Sequence, residues 1–254
     1  MTLKEKLKGP YMPFAILIYL LLWLLIGTLL VFLFLVITSK IYDVSLSNIS
    51  NYYLTKKNTL VGNEINAYYT ALGYGNALTY ILMAIGVCFY LRDHFYLDFY
   101  NLKRNKKFFA IYISITTTIF CVILLCITKW WPYTRSNNQE TTELILKYDG
   151  FIPMILATMF FAPIVEEAIY RKCIFYYLRS YHPAFSIIAS SIPFALIHML
   201  STSTSFSNWM LEFIPYLISA LLLASIYYFG KKNIFASLIA HMANNILAVI
   251  LIFI

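Results

Sequence analysis

Seven long, predominantly apolar runs limit what this chain can fold into. A helix needs about 20 such residues to cross the ~30 Å hydrocarbon core of a bilayer. Backbone groups inside a membrane must bond to one another, so helices are expected for these runs. The runs cover Phe14–Thr38, Tyr69–Leu91, Phe108–Thr128, Phe151–Tyr177, Ala184–Leu200, Leu211–Phe229 and Ile234–Ile254. The sequence predicts an all-α, polytopic membrane helix bundle with about seven transmembrane helices. The alternatives are an unrecognised eighth span or a re-entrant segment near Ser201–Met210.

The composition excludes the main alternatives to a membrane protein. Of the 254 residues, 61% are apolar and only 12% are charged, whereas a soluble domain has about 25% charged residues. This excludes soluble globular, disordered, collagen-like and disulfide-scaffold proteins. The net charge of +8 does not indicate nucleic-acid binding, because the bases flank apolar runs rather than forming a basic domain. We interpret residues 1–254 as a single integral membrane domain.

The distribution of lysine and arginine predicts the orientation of the chain. Thirteen of the 19 bases lie in alternate segments, namely the N-terminus, residues 92–107, residues 171–182 and residues 231–232. Segments facing the cytoplasm carry the excess of positive charge in membrane proteins. The N-terminus is therefore predicted to be cytoplasmic and the C-terminus to lie outside the cell.

Two adjacent carboxylates, Glu166 and Glu167, interrupt the fourth apolar run. Charged groups inside a membrane are costly and mark functional sites by default. Glu167 and Arg171 are four residues apart and are predicted to form an ion pair on one helix face. Glu166 points about 100° away from that face, so the ion pair does not account for it. Pro163, one turn earlier, removes a backbone donor and is expected to disturb the helix there.

Two histidines occupy later apolar runs. His198 follows Phe194 by one turn, and His241 precedes Asn245 by one turn, so each pair shares a helix face. A lone histidine near a helix end is more often a packing residue than a catalytic one. An asparagine in a span often only bonds a neighbouring helix, but a histidine and an asparagine on one face are harder to explain by packing alone.

Together these side chains have the chemistry needed to activate water. A carboxylate and imidazoles can take a proton from water directly or can act around a divalent metal. An asparagine amide can bond the oxyanion of a tetrahedral intermediate. The same residue types also serve in proton relays, so a transporter stays open at this point.

The three motifs, in this order, resemble those of the CPBP family, the CAAX proteases and bacteriocin-processing enzymes also called the Abi family. The motifs are Glu166-Glu167-x-x-x-Arg171, Phe194-x-x-x-His198 and His241-x-x-x-Asn245. The resemblance implies an α-helical intramembrane endopeptidase whose catalytic core helices lie within residues 151–254. The resemblance rests on about a third of the chain, because the earlier apolar runs match the family only in being transmembrane segments.

The resemblance also implies roles for individual residues. Glu166 is the implied water-activating group, His198 and His241 shape the site with it, and Asn245 is the implied oxyanion donor. Glu167, Arg171 and Phe194 support them. The family leaves open whether a divalent metal such as zinc takes part, and its candidate ligands here are Glu166, His198 and His241.

The expected surroundings follow from the same resemblance. The partners are the lipid bilayer and a membrane-associated peptide or protein substrate, with no nucleic acid. The expected location is a bacterial plasma membrane, in which relatives process peptides or confer bacteriocin immunity. Two alternatives remain: a non-catalytic immunity or scaffold protein of the same family, and an ion or proton transporter. The lack of internal repeats in the sequence disfavours the transporter.

Overall fold

The computed structural model describes residues 19–56, 59–132, 137–178, 180–199 and 205–253. These residues form ten helices and no strand. In chain order the helices are α1 (Tyr19–Ile41), α2 (Leu46–Thr55), α3 (Asn63–Tyr90), α4 (Arg92–Arg104), α5 (Lys106–Trp130), α6 (Asn137–Ile145), α7 (Phe151–Leu178), α8 (Pro183–Ile197), α9 (Phe206–Phe229) and α10 (Ile234–Phe253). The predicted all-α helix bundle is confirmed.

Six of these helices are long and apolar enough to cross a membrane: α1, α3, α5, α7, α9 and α10. They match six of the predicted runs, although α3 and α9 begin five or six residues earlier than their apolar runs. The start of the first run, residues 14–18, lies outside the described residues. The chain is therefore a multi-pass membrane protein.

The predicted fifth span, Ala184–Leu200, is shorter in the structure than in the sequence interpretation. Its helix α8 has 15 residues, or about 22 Å at 1.5 Å per residue, which is less than the thickness of the hydrocarbon core. It ends at Ile197, so His198 lies at the C-cap of α8 instead of within a span. Leu200 lies outside the described residues.

The helix α7 lies at the centre of the bundle and packs against α3, α8 and α10. Half of its apolar stretch is buried inside the protein, the largest share among the six long helices. Its first turn approaches α3 closely at Gly73, where an added Cβ would lie 2.5 Å from the carbonyl oxygen of Gly150. Central placement in the bundle shields the carboxylates of α7 from lipid.

The helices alternate in direction, because the residues that follow one helix contact the first residues of another at the same end of the bundle. At one end, the indole nitrogen of Trp131 donates to the carbonyl of Leu211 at 2.9 Å. Also at that end, the hydroxyl of Tyr42 bonds to Asp149. The other end carries α4 and the exposed bases of residues 92–107, and we refer to it as the basic end. The alternation agrees with the segments predicted from the distribution of bases.

Reporter fusions test the predicted orientation. We expect a C-terminal reporter that is active only outside the cytoplasm to give signal, because the basic end is predicted to face the cytoplasm. A reporter fused after Arg104 should behave in the opposite way. A C-terminal reporter active only in the cytoplasm would contradict this orientation.

A buried ion pair connects α4 to the C-terminal part of α7, and the same carboxylate also contacts the first residue of α10. The carboxylate of Asp98 lies 2.5 Å from the ammonium of Lys172, and their side chains are 11% and 3% exposed. The same carboxylate accepts the backbone N–H of Ile234 at 2.7 Å, and Lys172 also donates to the carbonyl of Lys232 at 3.1 Å. Asp98 thus satisfies a free N–H at the start of α10, in the manner of a capping residue.

Replacing Asp98 with asparagine should strongly destabilise the protein. The change leaves the ammonium of Lys172 buried without its counter-charge, and breaking such a pair costs about 3–5 kcal/mol. Thermal unfolding in detergent measures the effect, with Asp93→Asn on the same helix as the control. If the two variants melt at the same temperature, the ion pair is not what secures α4.

Candidate active site

The helix α7 departs from regular α-helical geometry on both sides of its two glutamates. Residues Ala157–Phe161 and Ala168–Phe175 are π-helical, and the segment Ala162–Glu167 between them is α-helical. Short π-helical segments inside α-helices often occur at functional sites, because they turn side chains to directions that an α-helix does not reach. Here they bracket Glu166 and Glu167, whose side chains are almost fully buried.

The predicted ion pair between Glu167 and Arg171 forms inside the bundle. Nε of Arg171 donates to Oε2 of Glu167 at 3.1 Å, and both side chains are fully buried. The guanidinium also donates to the hydroxyl of Ser190 at 3.5 Å and to the carbonyl of Ala220 at 3.3 Å. One buried arginine therefore joins α7 to α8 and α9 and compensates the charge of Glu167.

His241 of α10 contacts both glutamates of α7. Its Nδ1 lies 3.3 Å from Oε1 of Glu167, and its Nε2 lies 3.7 Å from Oε2 of Glu166. An ionised carboxylate accepts hydrogen bonds only, so its contact with Glu167 favours the tautomer that carries the proton on Nδ1. In that tautomer the free lone pair of Nε2 faces Glu166. The sequence did not predict this second role of Glu167, because the contact joins residues 74 positions apart.

Phe194 places the second histidine near this group. Its ring centroid lies 5.8 Å from that of His241 and 5.1 Å from that of His198. The imidazole of His198 stacks on the ring of Tyr216 in α9, with centroids 4.7 Å apart and planes within 5°. The ring of Phe194 thus lies next to both histidines, and Tyr216 sets the plane of His198.

Asn245 lies on the same face of α10 as His241 but contacts a different part of α7. Its side-chain amide donates to the carbonyl of Thr158 at 2.8 Å. Its oxygen lies 3.5 Å from the amide nitrogen of Asn244. Asn245 is half-buried.

The candidate metal ligands Glu166, His198 and His241 do not converge on one point. Among the described residues, no group of three or more His, Cys, Asp or Glu side chains is arranged to hold a metal ion. Nδ1 of His241 is engaged by Glu167, and the ring of Phe194 lies next to both histidines. In this arrangement the three side chains do not fit a metal site.

Several polar side chains near the site were not anticipated from the sequence. The phenol groups of Tyr19, Tyr80 and Tyr170 are electrostatic neighbours of Glu166, and the first and third of these share a hydrogen bond. Glu212, one turn before Tyr216 on α9, is 2% exposed. The tyrosines could not have been singled out, because tyrosine is common in this chain. Glu212 could have been, because it is a carboxylate inside an apolar run, the same signal that identified Glu166.

A family model matches the part of the chain that carries these side chains. Residues 148–247 match the family described as type II CAAX prenyl endopeptidase Rce1-like. The matched region contains all three motifs and spans from the start of α7 into α10. This part of the chain is therefore similar to the Rce1-like endopeptidases, in agreement with the resemblance that the motifs indicated.

Similarity to other proteins is more limited. An uncharacterized protein of Mycoplasma capricolum subsp. capricolum is 29% identical over 124 residues, which are 46% of this chain and 34% of the relative. The chain spans only about a third of the length of that relative. No solved structure matches the chain.

Proposed function

We propose that this chain, through its Rce1-like region, is an intramembrane endopeptidase that hydrolyses a peptide bond of a membrane-associated peptide or protein. The observation that carries the proposal is the contact of His241 with both buried glutamates of α7. A helix end stabilised by an ion pair needs Glu167 and Arg171 only. A purely structural ion pair therefore does not explain why a second carboxylate, Glu166, is buried opposite an imidazole nitrogen.

The geometry supports Glu166 as the base that activates water. The distance of 3.7 Å between Oε2 of Glu166 and Nε2 of His241 is too long for a direct hydrogen bond, and both atoms accept protons in the tautomer described above. A water molecule between them would donate one hydrogen to each. This orients the water oxygen lone pairs away from both acceptors and toward a peptide carbonyl.

Hydrolysis then proceeds by proton transfer through the same groups. The water loses a proton to Glu166 as its oxygen adds to the carbonyl carbon, which gives a tetrahedral intermediate. Collapse of the intermediate breaks the C–N bond, and the proton passes from Glu166 to the departing nitrogen, leaving a new amine and a carboxylic acid that loses its proton to solvent. Glu167 stabilises a positive charge on His241 whenever that imidazole holds the proton, while Arg171 keeps Glu167 ionised.

His198 supplies a second imidazole beside this group. Its stacking on Tyr216 and its contact with Phe194 restrict the rotation of the ring. Preorganised donors of this kind stabilise charge that develops on a substrate oxygen. We assign to His198 the binding of the substrate carbonyl oxygen, beside the water held by Glu166 and His241.

Comparison of peptide termini in cells tests this function. Membrane and secreted fractions would be compared by mass spectrometry between cells that carry the wild-type chain, Glu166→Gln or a deletion. Glu140→Gln serves as the control, because that glutamate is exposed and lies outside α7. We expect a set of new termini in the wild type and the control that is missing in both Glu166→Gln and the deletion.

Other outcomes would favour the alternative functions. A phenotype of the deletion that Glu166→Gln does not share, with identical termini in all strains, would indicate a non-catalytic immunity or scaffold protein. Proton flux into proteoliposomes that depends on Glu166, again with unchanged termini, would indicate a transporter. Either result would overturn the proposal of an endopeptidase.

A further inference from the structure

The carbonyl group of Thr158 has lost its usual helical donors. In the π-helical segment Ala157–Phe161, a carbonyl accepts from the N–H five residues later, and Ala162 donates to Ala157 in this way. The corresponding donor for Thr158 is residue 163, which is a proline without an N–H. The donor four residues after Thr158 is Ala162, which is already engaged.

The side chain of Asn245 takes the place of the missing donor. Its amide nitrogen lies 2.8 Å from the carbonyl oxygen of Thr158, a normal hydrogen-bond length. A carbonyl inside a membrane helix that a proline has freed is commonly satisfied by a neighbouring helix. The contact thus compensates for Pro163 and connects α10 to α7.

We infer that Asn245 is a positioning residue that sets the register of α10 against α7. Its bond to Thr158 lies one helical turn from His241 along the shared face of α10. Together with the contacts of His241 to Glu166 and Glu167, it attaches α10 to α7 at two points. Two attachment points fix both the sliding and the rotation of α10, and therefore the direction of Nε2 of His241.

This assignment differs from the oxyanion donor that the family resemblance implies. The amide nitrogen that would bind an oxyanion donates to Thr158, and the amide oxygen is in contact with Asn244. One N–H of the amide and its oxygen are thus held by protein groups, so at most the second N–H is available to a substrate. The inference rests on the proposed function for its effect on activity, but the structural connection stands independently of it.

A double-mutant cycle between Pro163 and Asn245 tests the inference. Replacing Pro163 with alanine restores an N–H that can bond to Thr158 in the existing helical register. Asn245→Ala is therefore expected to lower the melting temperature and the cleavage rate per folded molecule in the wild-type background. In the Pro163→Ala background we expect the loss of activity caused by Asn245→Ala to be smaller by roughly tenfold, because residues that share one contact couple.

Two controls keep the outcomes distinct. Ser225→Ala removes a side-chain bond to the carbonyl of Leu221, remote from Thr158, so its effects should be the same in both backgrounds. Asn101→Ala removes an exposed amide and should leave the melting temperature unchanged. If Pro163→Ala prevents folding, the comparison of Asn245→Ala with Asn101→Ala still tests the inference. A positioning role for Asn245 requires that Asn245→Ala lowers the melting temperature and that Asn101→Ala does not.

The opposite results would overturn the inference. An unchanged melting temperature in Asn245→Ala, or an equal loss of activity in both backgrounds, would show that Asn245 acts on the substrate and not through Thr158. Failure of the proposed function looks different: the wild type would then produce no cleavage at all, while the coupling between Pro163 and Asn245 would still appear in the melting temperatures.

Discussion

Glu166→Gln should abolish cleavage while leaving the amount of folded protein unchanged. Glutamine keeps the shape of the side chain but cannot accept the proton of the attacking water. Loss of general acid–base catalysis lowers rates by about 10²–10⁴-fold. Because glutamine is neutral, its burial opposite His241 should not destabilise the bundle. Quantification of the product termini together with thermal unfolding of the purified variant measures both effects.

His241→Ala and His198→Ala are the companion variants. Both should also lose activity at near-normal expression, since each removes an imidazole of the proposed site. Glu140→Gln again provides the control at an exposed carboxylate. Full activity in all three site variants at normal expression would contradict the enzymatic hypothesis and favour the scaffold.

Arg171→Met should strongly destabilise the protein. The guanidinium is fully buried and bonds to Glu167, Ser190 and Ala220. Its removal leaves the carboxylate of Glu167 charged inside the bundle, a change that costs about 3–5 kcal/mol. The melting temperature in detergent should fall clearly, whereas Arg104→Met at an exposed position should have little effect.

A second substitution distinguishes the effect of the uncompensated charge on Glu167 from the effect of lost packing around Arg171. In the double variant Glu167→Gln, Arg171→Met no lone charge remains, so part of the lost stability should return. Activity should not return, because Glu167 also contacts Nδ1 of His241. A larger drop in melting temperature for Glu166→Gln than for Arg171→Met would mean that the structural and catalytic roles of the two glutamates are reversed.

The sequence was sufficient to predict the features that depend on short spacings. The apolar runs are continuous in sequence, so six of the seven predicted spans are found as long helices. The pair of Glu167 and Arg171 follows from a separation of four residues on one helix, and it forms. The shared faces of Phe194 with His198, and of His241 with Asn245, follow from the same periodicity.

Features that depend on packing between helices could not be predicted. Which glutamate His241 contacts is decided by the rotation of α10 against α7, and the structure brings it to both. The π-helical turns that bracket Glu166 and Glu167 have no signature in the sequence beyond Pro163. The early end of α8 at Ile197 was hidden because the apolar run continues past it to Leu200.

Hydrolysis in heavy-oxygen water tests the central claim most directly. Membranes from cells that lack the chain would be incubated with the purified wild-type protein or with Glu166→Gln in water enriched in ¹⁸O, and new peptide termini would be identified by mass spectrometry. We predict that new C-terminal carboxylates appear only with the wild-type protein and that each carries one heavy oxygen from the solvent. New termini that form equally with Glu166→Gln, or no new termini with the wild type, would contradict the account.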